Sequence, residues 1–222
     1  MILQKRQMVT CLLGLVVSLL FVACAPQIPR QGAPVGRDVL YRDNFDPIQA
    51  GPWLTEGDSQ AYTSLADGRL IIDVDAANLI QFVTLRDPQF DDFILEVDVR
   101  QLDGTPDSSH GILFRMQGTD AFYRFAITGT GFFIVERRDA DGSWHRLMRD
   151  WAESSAINQG LNVVNQMRVE AVGSRLSVYV NGQLLQQLAD TQYSRGTIAL
   201  EAGTFGPGTA RVAFDNLVVR QP

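Results

Sequence analysis

The sequence predicts an all-β chain built from two large antiparallel sheets packed face to face, and three observations carry that reading. Short runs rich in aromatic and β-branched residues recur from Asp38 onward, each alternating apolar with polar positions and bounded by Gly, Asp, Ser or Pro. That is the pattern of half-buried antiparallel strands. No stretch of about 12 residues sustains a helical period. About 13 such runs fall within about 180 residues, a density that two stacked sheets accommodate.

Taken from the N-terminus, residues 1–23 form a targeting segment. Lys5 and Arg6 supply a positive start, and residues 9–23 an almost purely apolar run of about 15, too short for a comfortable membrane span and suited to a signal-peptide core. The run ends Leu20-Phe21-Val22-Ala23-Cys24, which resembles the bacterial lipobox, with Phe21 where Leu, Val or Ile is usual. The resemblance implies that the Cys24 thiol receives a diacylglyceryl group, becomes the first residue of the mature protein and anchors it, outside the cytoplasm, in the bacterial cell envelope. An ordinary cleaved signal peptide with an incidental Cys24 is the alternative. Cys11 lies inside the leader, so the folded domain carries no thiol, and disulfides, thiolate nucleophiles and Cys-based metal sites are excluded there. Residues 24–37 contain Pro26, Pro29 and Pro34 and read as an extended tether, about 3 Å per residue, that holds the domain of residues 38–222 roughly 40 Å or less from the bilayer.

From Asp38 the chain is strand and turn. Runs at 39–45, 61–65, 69–74 and 79–85 come first, with Asp67-Gly68 marking a tight hairpin. Residues 93–138 organise the rest as neighbouring strands. Phe93-Ile-Leu-Glu-Val-Asp-Val-Arg100 is followed by Gly111-Ile-Leu-Phe-Arg115, Phe122-Tyr-Arg-Phe125 and Gly131-Phe-Phe-Ile-Val-Glu-Arg137. Residues 144–148, 165–172, 175–180, 183–188, 196–202 and 210–219 complete the set. Asn181-Gly182 supplies positive φ at both central positions of a type I′ hairpin. Residues 152–159 alone suggest a helical turn.

Composition narrows the function. The 222 residues, 45% hydrophobic and 20% charged, suit one globular domain plus appendages. Without Lys5 and Arg6 the 19 basic residues fall to 17, all Arg, against 25 acidic ones, a charge of −8. Nucleic acid needs a clustered basic face and is excluded as a partner.

The order of these strand motifs, through Leu176-Ser-Val-Tyr-Val-Asn181-Gly182, Gly196-Thr-Ile-Ala-Leu200 and Phe214-Asp-Asn-Leu-Val-Val219, resembles the concanavalin A-like lectin/glucanase superfamily. Within it the similarity is to the laminin-G-like and 3-keto-disaccharide hydrolase domain families, over nearly all of residues 38–220. The resemblance implies a jelly-roll sandwich more strongly than an activity, because the fold serves binding modules and hydrolases alike.

Glu96-Val-Asp98-Val-Arg100 is similar to the catalytic strand of family 16 glycoside hydrolases, which ends in a second Glu. Retaining chemistry needs two carboxyl groups about 5 Å apart. Here Arg100 and Gln101 stand at that end, no proton donor to the leaving group remains, and glucanase catalysis is not expected. Alternation places Phe93, Leu95, Val97 and Val99 inward and Glu96, Asp98 and Arg100 outward, and the same logic exposes Arg115 and Arg124 on the next strands. These acids and arginines are either cross-strand ion pairs or the polar groups of a concave, sugar-binding face.

His110 and His145 lack a neighbouring carboxylate or thiol at metal-ligand spacing and are assigned to loops or surface, so no metal is expected from them. No Gly-x-Ser-x-Gly elbow is present. Asp43-Asn44 and Asp215-Asn216 would meet if the first and last strands pair, and calcium is the one cofactor such oxygen-rich ends would suit. Trp53, Trp144, Trp151, Tyr62 and Tyr193 fall in or beside loops, where a flat ring stacks on a sugar face. Trp151, between Asp150 and Glu153 in the irregular segment, is the best stacking candidate. The ligand-binding set is therefore Glu96, Asp98, Arg115, Arg124 and Trp151, with a carbohydrate as ligand, the membrane as partner through the anchor, and the chain itself monomeric. Alternatives from other classes are a glycoside-processing hydrolase and a structural or adhesion module.

Overall fold

The structure, a computed structural model, describes residues 38–222. The leader, Cys24 and the tether lie outside the described residues. Within them, fifteen strands form two antiparallel sheets, the two-sheet jelly-roll sandwich expected from the sequence.

The first sheet runs β13 (Gln183–Ala189), β12 (Arg175–Val180), β11 (Asn165–Val172), β5 (Phe93–Gly104), β15 (Ala210–Arg220), β3 (Arg69–Val74) and β2 (Ala61–Ala66), with β1 (Val39–Asp43) also on β15. The second runs β10 (Ala152–Glu153), β8 (Phe132–Arg138), β7 (Ala121–Thr128), β6 (Ser109–Gly118), β14 (Thr197–Gly203) and β4 (Ile80–Thr84), with β9 (Trp144–Arg146) on β8. Both sequence-marked hairpins close as expected. Asp67 and Gly68 have φ of 53° and 66°, Asn181 and Gly182 of 50° and 79°, the positive values a type I′ turn requires.

Alternation along β5 sends Phe93, Leu95, Val97 and Val99 into the core, where none exceeds 1% exposure, and leaves Glu96, Asp98 and Arg100 half-buried on the outer side. The inward set packs in one cluster with Ile112, Phe114, Tyr123, Phe125 and Leu200 of the other sheet, Phe93 meeting Phe114 edge-on at 6.4 Å. Each such side chain contributes at most about 1.5–3 kcal/mol by leaving water.

Two features differ from expectation. β5 pairs with β11 and β15, whereas β6 pairs with β7 and β14, so residues 105–108 carry the chain from one sheet to the other. The block 93–138 is thus one strand of the first sheet and three of the second. No helix forms at 152–159, where the Ile157 amide donates to the Ser154 carbonyl at 3.3 Å to close a single turn. Ala152 and Glu153 instead add two rungs to the rim of β8, opposite Phe133 and Phe132, because that edge offers unpaired backbone groups.

Candidate functional site

The pleat of the second sheet builds a charged cluster on its outer face. Tyr123, Phe125 and Ile127 of β7 point to the core, so Arg124 points away from it, and Glu136 of β8 stands directly opposite. On β14 the same alternation buries Ile198, Leu200 and Ala202 between the sheets and turns Glu201 outward. Arg124 Nη1 donates to Glu136 Oε2 at 2.9 Å, Nε to Glu201 Oε1 at 3.0 Å, and Nη2 to Ser109 Oγ at 2.8 Å. To reach Glu201 the guanidinium passes over β6, where Gly111 lies opposite Glu201. A Cβ there would stand 2.2 Å from the Phe125 carbonyl oxygen, so the position admits no side chain.

This outer face is nevertheless closed from water. Arg124 is 2% exposed and Glu201 is fully buried. Burial pushes the Glu201 carboxyl up, against the pull of the Arg124 guanidinium. Its Oε2 is buried with no hydrogen-bond partner among the described residues. The cover is Trp151, whose ring lies 5.9 Å from the Arg124 guanidinium carbon and meets Phe205 edge-on at 5.7 Å and 83°. Trp151 is held in place because the next two residues are β10, bonded to the rim of β8. Phe205 stands in the Gly-rich loop that follows β14. Beside this pair opens a groove of about 360 Å³ lined by Asp107, Thr128, Thr130, Phe132, Trp151 and Phe205.

Of the residues singled out from sequence, the structure brings Arg124 and Trp151 together and places the others elsewhere. Arg124 was expected at the surface; Trp151 and its neighbours cover it. Arg115 was also expected outward and is 1% exposed. A bulge in β6 gives it a left-handed φ of 50°, which takes it out of alternation. Its guanidinium donates to the carbonyls of Gly173 (2.8 Å), Tyr193 (3.1 Å) and Asp91 (3.3 Å) and to Asp92 (3.2 Å), tying three loops at one end of the sandwich. Glu96 and Asp98 occupy the outer side of the first sheet, so they cannot share a face with Arg124. Glu96 stands 3.9 Å from Arg220, and Asp98 accepts a bond from Asn216 at 2.9 Å.

His110, assigned to a loop or the surface, sits in β6 facing the core at 2% exposure, and burial lowers its pKa to about 4. The bulk between the sheets, not a turn, claims it. His145 is exposed, 3.0 Å from Asp139. β1 does pair with β15, yet Asp43 turns inward and accepts from Tyr41 (2.8 Å), the Phe45 amide (2.7 Å), the Gly51 amide (2.7 Å) and Trp53 Nε1 (2.9 Å). With four donors satisfied it forms no oxygen-rich pair with Asp215. Trp53 and Tyr193 are core residues, whereas Tyr62 and Trp144 are exposed, Trp144 lying under Arg138 at 5.5 Å.

Residues 44–220, which include the whole groove and its floor, match the family described as the 3-keto-alpha-glucoside-1,2-lyase-like domain. The chain belongs to this family. No curated protein matches the sequence. Among solved structures, this lyase-like domain is similar to the catalytic domain of a laminarinase from Thermotoga maritima, with TM-score 0.62, 12% identity and coverage of 83% of this chain and 98% of that one. It is also similar to the carbohydrate binding module CBM66 from Bacillus subtilis, with TM-score 0.60, 16% identity and coverage of 77% and 96%. A Bacillus subtilis protein with a galectin-like fold gives TM-score 0.60, 11% identity and coverage of 82% and 96%. At such identities the likeness establishes the fold alone.

Sequence reasoning missed Glu201, Phe132, Phe205 and Asp107. Glu201 had a signal, a lone acid in the apolar run Ile198-Ala-Leu-Glu-Ala202, which marks a charge that must be paired in the interior.

Proposed function

We propose that this chain is a lipoprotein, anchored through Cys24 in the cell envelope, whose sandwich binds carbohydrate in the groove beside Trp151 and Phe205. The observation that carries the reading is a pair of perpendicular aromatic walls, with Phe132 and Phe205 still 38% and 44% exposed, standing over a guanidinium whose three nitrogens are each hydrogen-bonded. Exposed rings on a preformed surface suit the C–H face of a pyranose, held by dispersion. Thr128, Thr130 and Asp107 add hydroxyl and carboxylate groups for the sugar hydroxyls. Arg124 then serves as a positioning residue beneath Trp151, not as a ligand contact. Membership of a family named for action on a glucoside supports a glycan as ligand.

A glycan-array screen of the purified protein, followed by calorimetry on any hit, tests this. Trp151→Ala and Phe205→Ala are each expected to weaken binding by about 1–3 kcal/mol, Phe205→Ala with little change in melting temperature. Full affinity in both variants sinks the assignment of the groove.

A second reading, a glycoside-processing enzyme, is favoured by Glu201. Burial raises the proton affinity of its carboxyl against the pull of Arg124, and a carboxyl so perturbed beside a groove is a candidate acid. Product analysis on a 3-keto-glycoside decides it: turnover that disappears in Glu201→Gln supports the enzyme, and an inert parent protein removes it.

A further inference from the structure

The lining of the groove is uneven in charge. Three aromatic rings and two threonines face it, and its one charged side chain is Asp107, exposed on the loop that crosses between the sheets. No Lys, Arg or His is among the lining residues. The cation beneath Trp151, Arg124, is already matched by Glu136 and Glu201, at 2.9 Å each. The floor therefore adds no surplus positive charge. Thr128 and Thr130 are hydrogen-bonded to each other at 2.9 Å, Thr128 also accepts the Phe132 amide at 3.2 Å, and a neutral hydroxyl supplies no counter-charge to Asp107.

Aromatic faces carry negative potential and attract a cation, the more so when a carboxylate stands beside them. A neutral glycan would use the rings and leave Asp107 without a counter-charge, while a uronate or sialate would meet repulsion. We propose that the groove selects glycans bearing a protonated amino group, Asp107 taking the ammonium while Trp151, Phe205 and Phe132 take the ring face. This rests on the reading of the groove as a carbohydrate site and names the sugar class within it.

Three β-1,4 tetrasaccharides that differ only at C2 provide the test: those of glucosamine, N-acetylglucosamine and glucose, titrated into the full-length protein at mildly acidic pH and low salt. The glucosamine oligomer is expected to bind about tenfold more tightly than the other two. The preference should shrink with added salt and vanish in Asp107→Asn, which brings the glucosamine oligomer down to the affinity of the two neutral sugars. Equal binding of all three, or an equal loss for all three in Asp107→Asn, overturns the amino-sugar selectivity and leaves the carbohydrate site standing. No binding by any of the three overturns the selectivity, and if the wider glycan array is also blank the carbohydrate reading falls with it.

Discussion

Replacing Arg124 with Met removes the one cation that serves two carboxylates on the outer face of the second sheet. Met keeps the apolar stem and deletes the guanidinium, so Glu201 Oε1 loses its donors at 3.0 and 2.9 Å, and Ser109 loses its partner at 2.8 Å. Because Glu201 is fully buried, its charge finds no water to replace them. Breaking a buried pair from one side costs about 3–5 kcal/mol. For a domain of this size that is a fall of roughly 10 °C in melting temperature. The carboxyl has one escape, taking up a proton, and burial already pushes its pKa up. A folded-state pKa above the unfolded value means stability grows as pH falls through it, so the loss in Arg124→Met should be smaller at pH 5 than at pH 7. Arg124→Met/Glu201→Gln should recover at least about half of the loss, because the stranded charge is gone. Denaturant unfolding of parent, singles and double at both pH values completes the cycle. If Arg124→Met lies within about 1 kcal/mol of the parent and shows no pH dependence, the cluster does not hold a buried ion pair and the account of the floor is wrong.

His110 gives a second pH signature. Its folded pKa of about 4 lies below the ordinary 6.5, so the unfolded chain binds the proton first, and the parent should lose roughly 3 kcal/mol as pH falls from 6.5 to 4. That slope should be absent from His110→Leu in the same denaturation series. Glu96→Gln should change stability by less than about 1 kcal/mol, since both it and Arg220 remain about 30% exposed at 3.9 Å, and it should reveal no β-glucan cleavage to lose. Cys24→Ser is expected to leave the protein unprocessed or released from membranes. A variant that fractionates and migrates like the parent argues against the anchor.

What could be read from sequence was local. Asn181-Gly182 and Asp67-Gly68 announced their hairpins because only a few residues tolerate positive φ there, and the alternation of 93–100 announced which side chains enter the core. The partition of strands between sheets was not local. Thr105-Pro-Asp-Ser108 reads as a turn whether it joins neighbours or crosses the sandwich, so β5 was placed beside β6 and Glu96 on the face of Arg124. Alternation gave the correct side for Arg124 but not its burial, since the cover comes from Trp151, far along the chain. Arg115 was misread because a single left-handed residue in a bulge cancels the period of two, and nothing in Phe114-Arg115-Met116 signals it. Trp151 was legible as an aromatic in an irregular segment. Phe205 offered the same cue among the glycines of Gly203-Thr-Phe-Gly-Pro-Gly208 and went unused.

The two-rung strand β10 has a consequence for how such a groove changes over evolutionary time. Trp151, which immediately precedes it, and Phe205 of the Gly203–Gly208 loop supply both aromatic walls, yet each piece is an appendage to a strand end and contributes little to the packing between the sheets. Insertions or exchanges in these two short pieces would reshape what the groove accepts without disturbing the interior that keeps the sandwich folded. Specificity in this architecture is carried by the most replaceable parts of the chain, and a new ligand preference lies a few loop substitutions away.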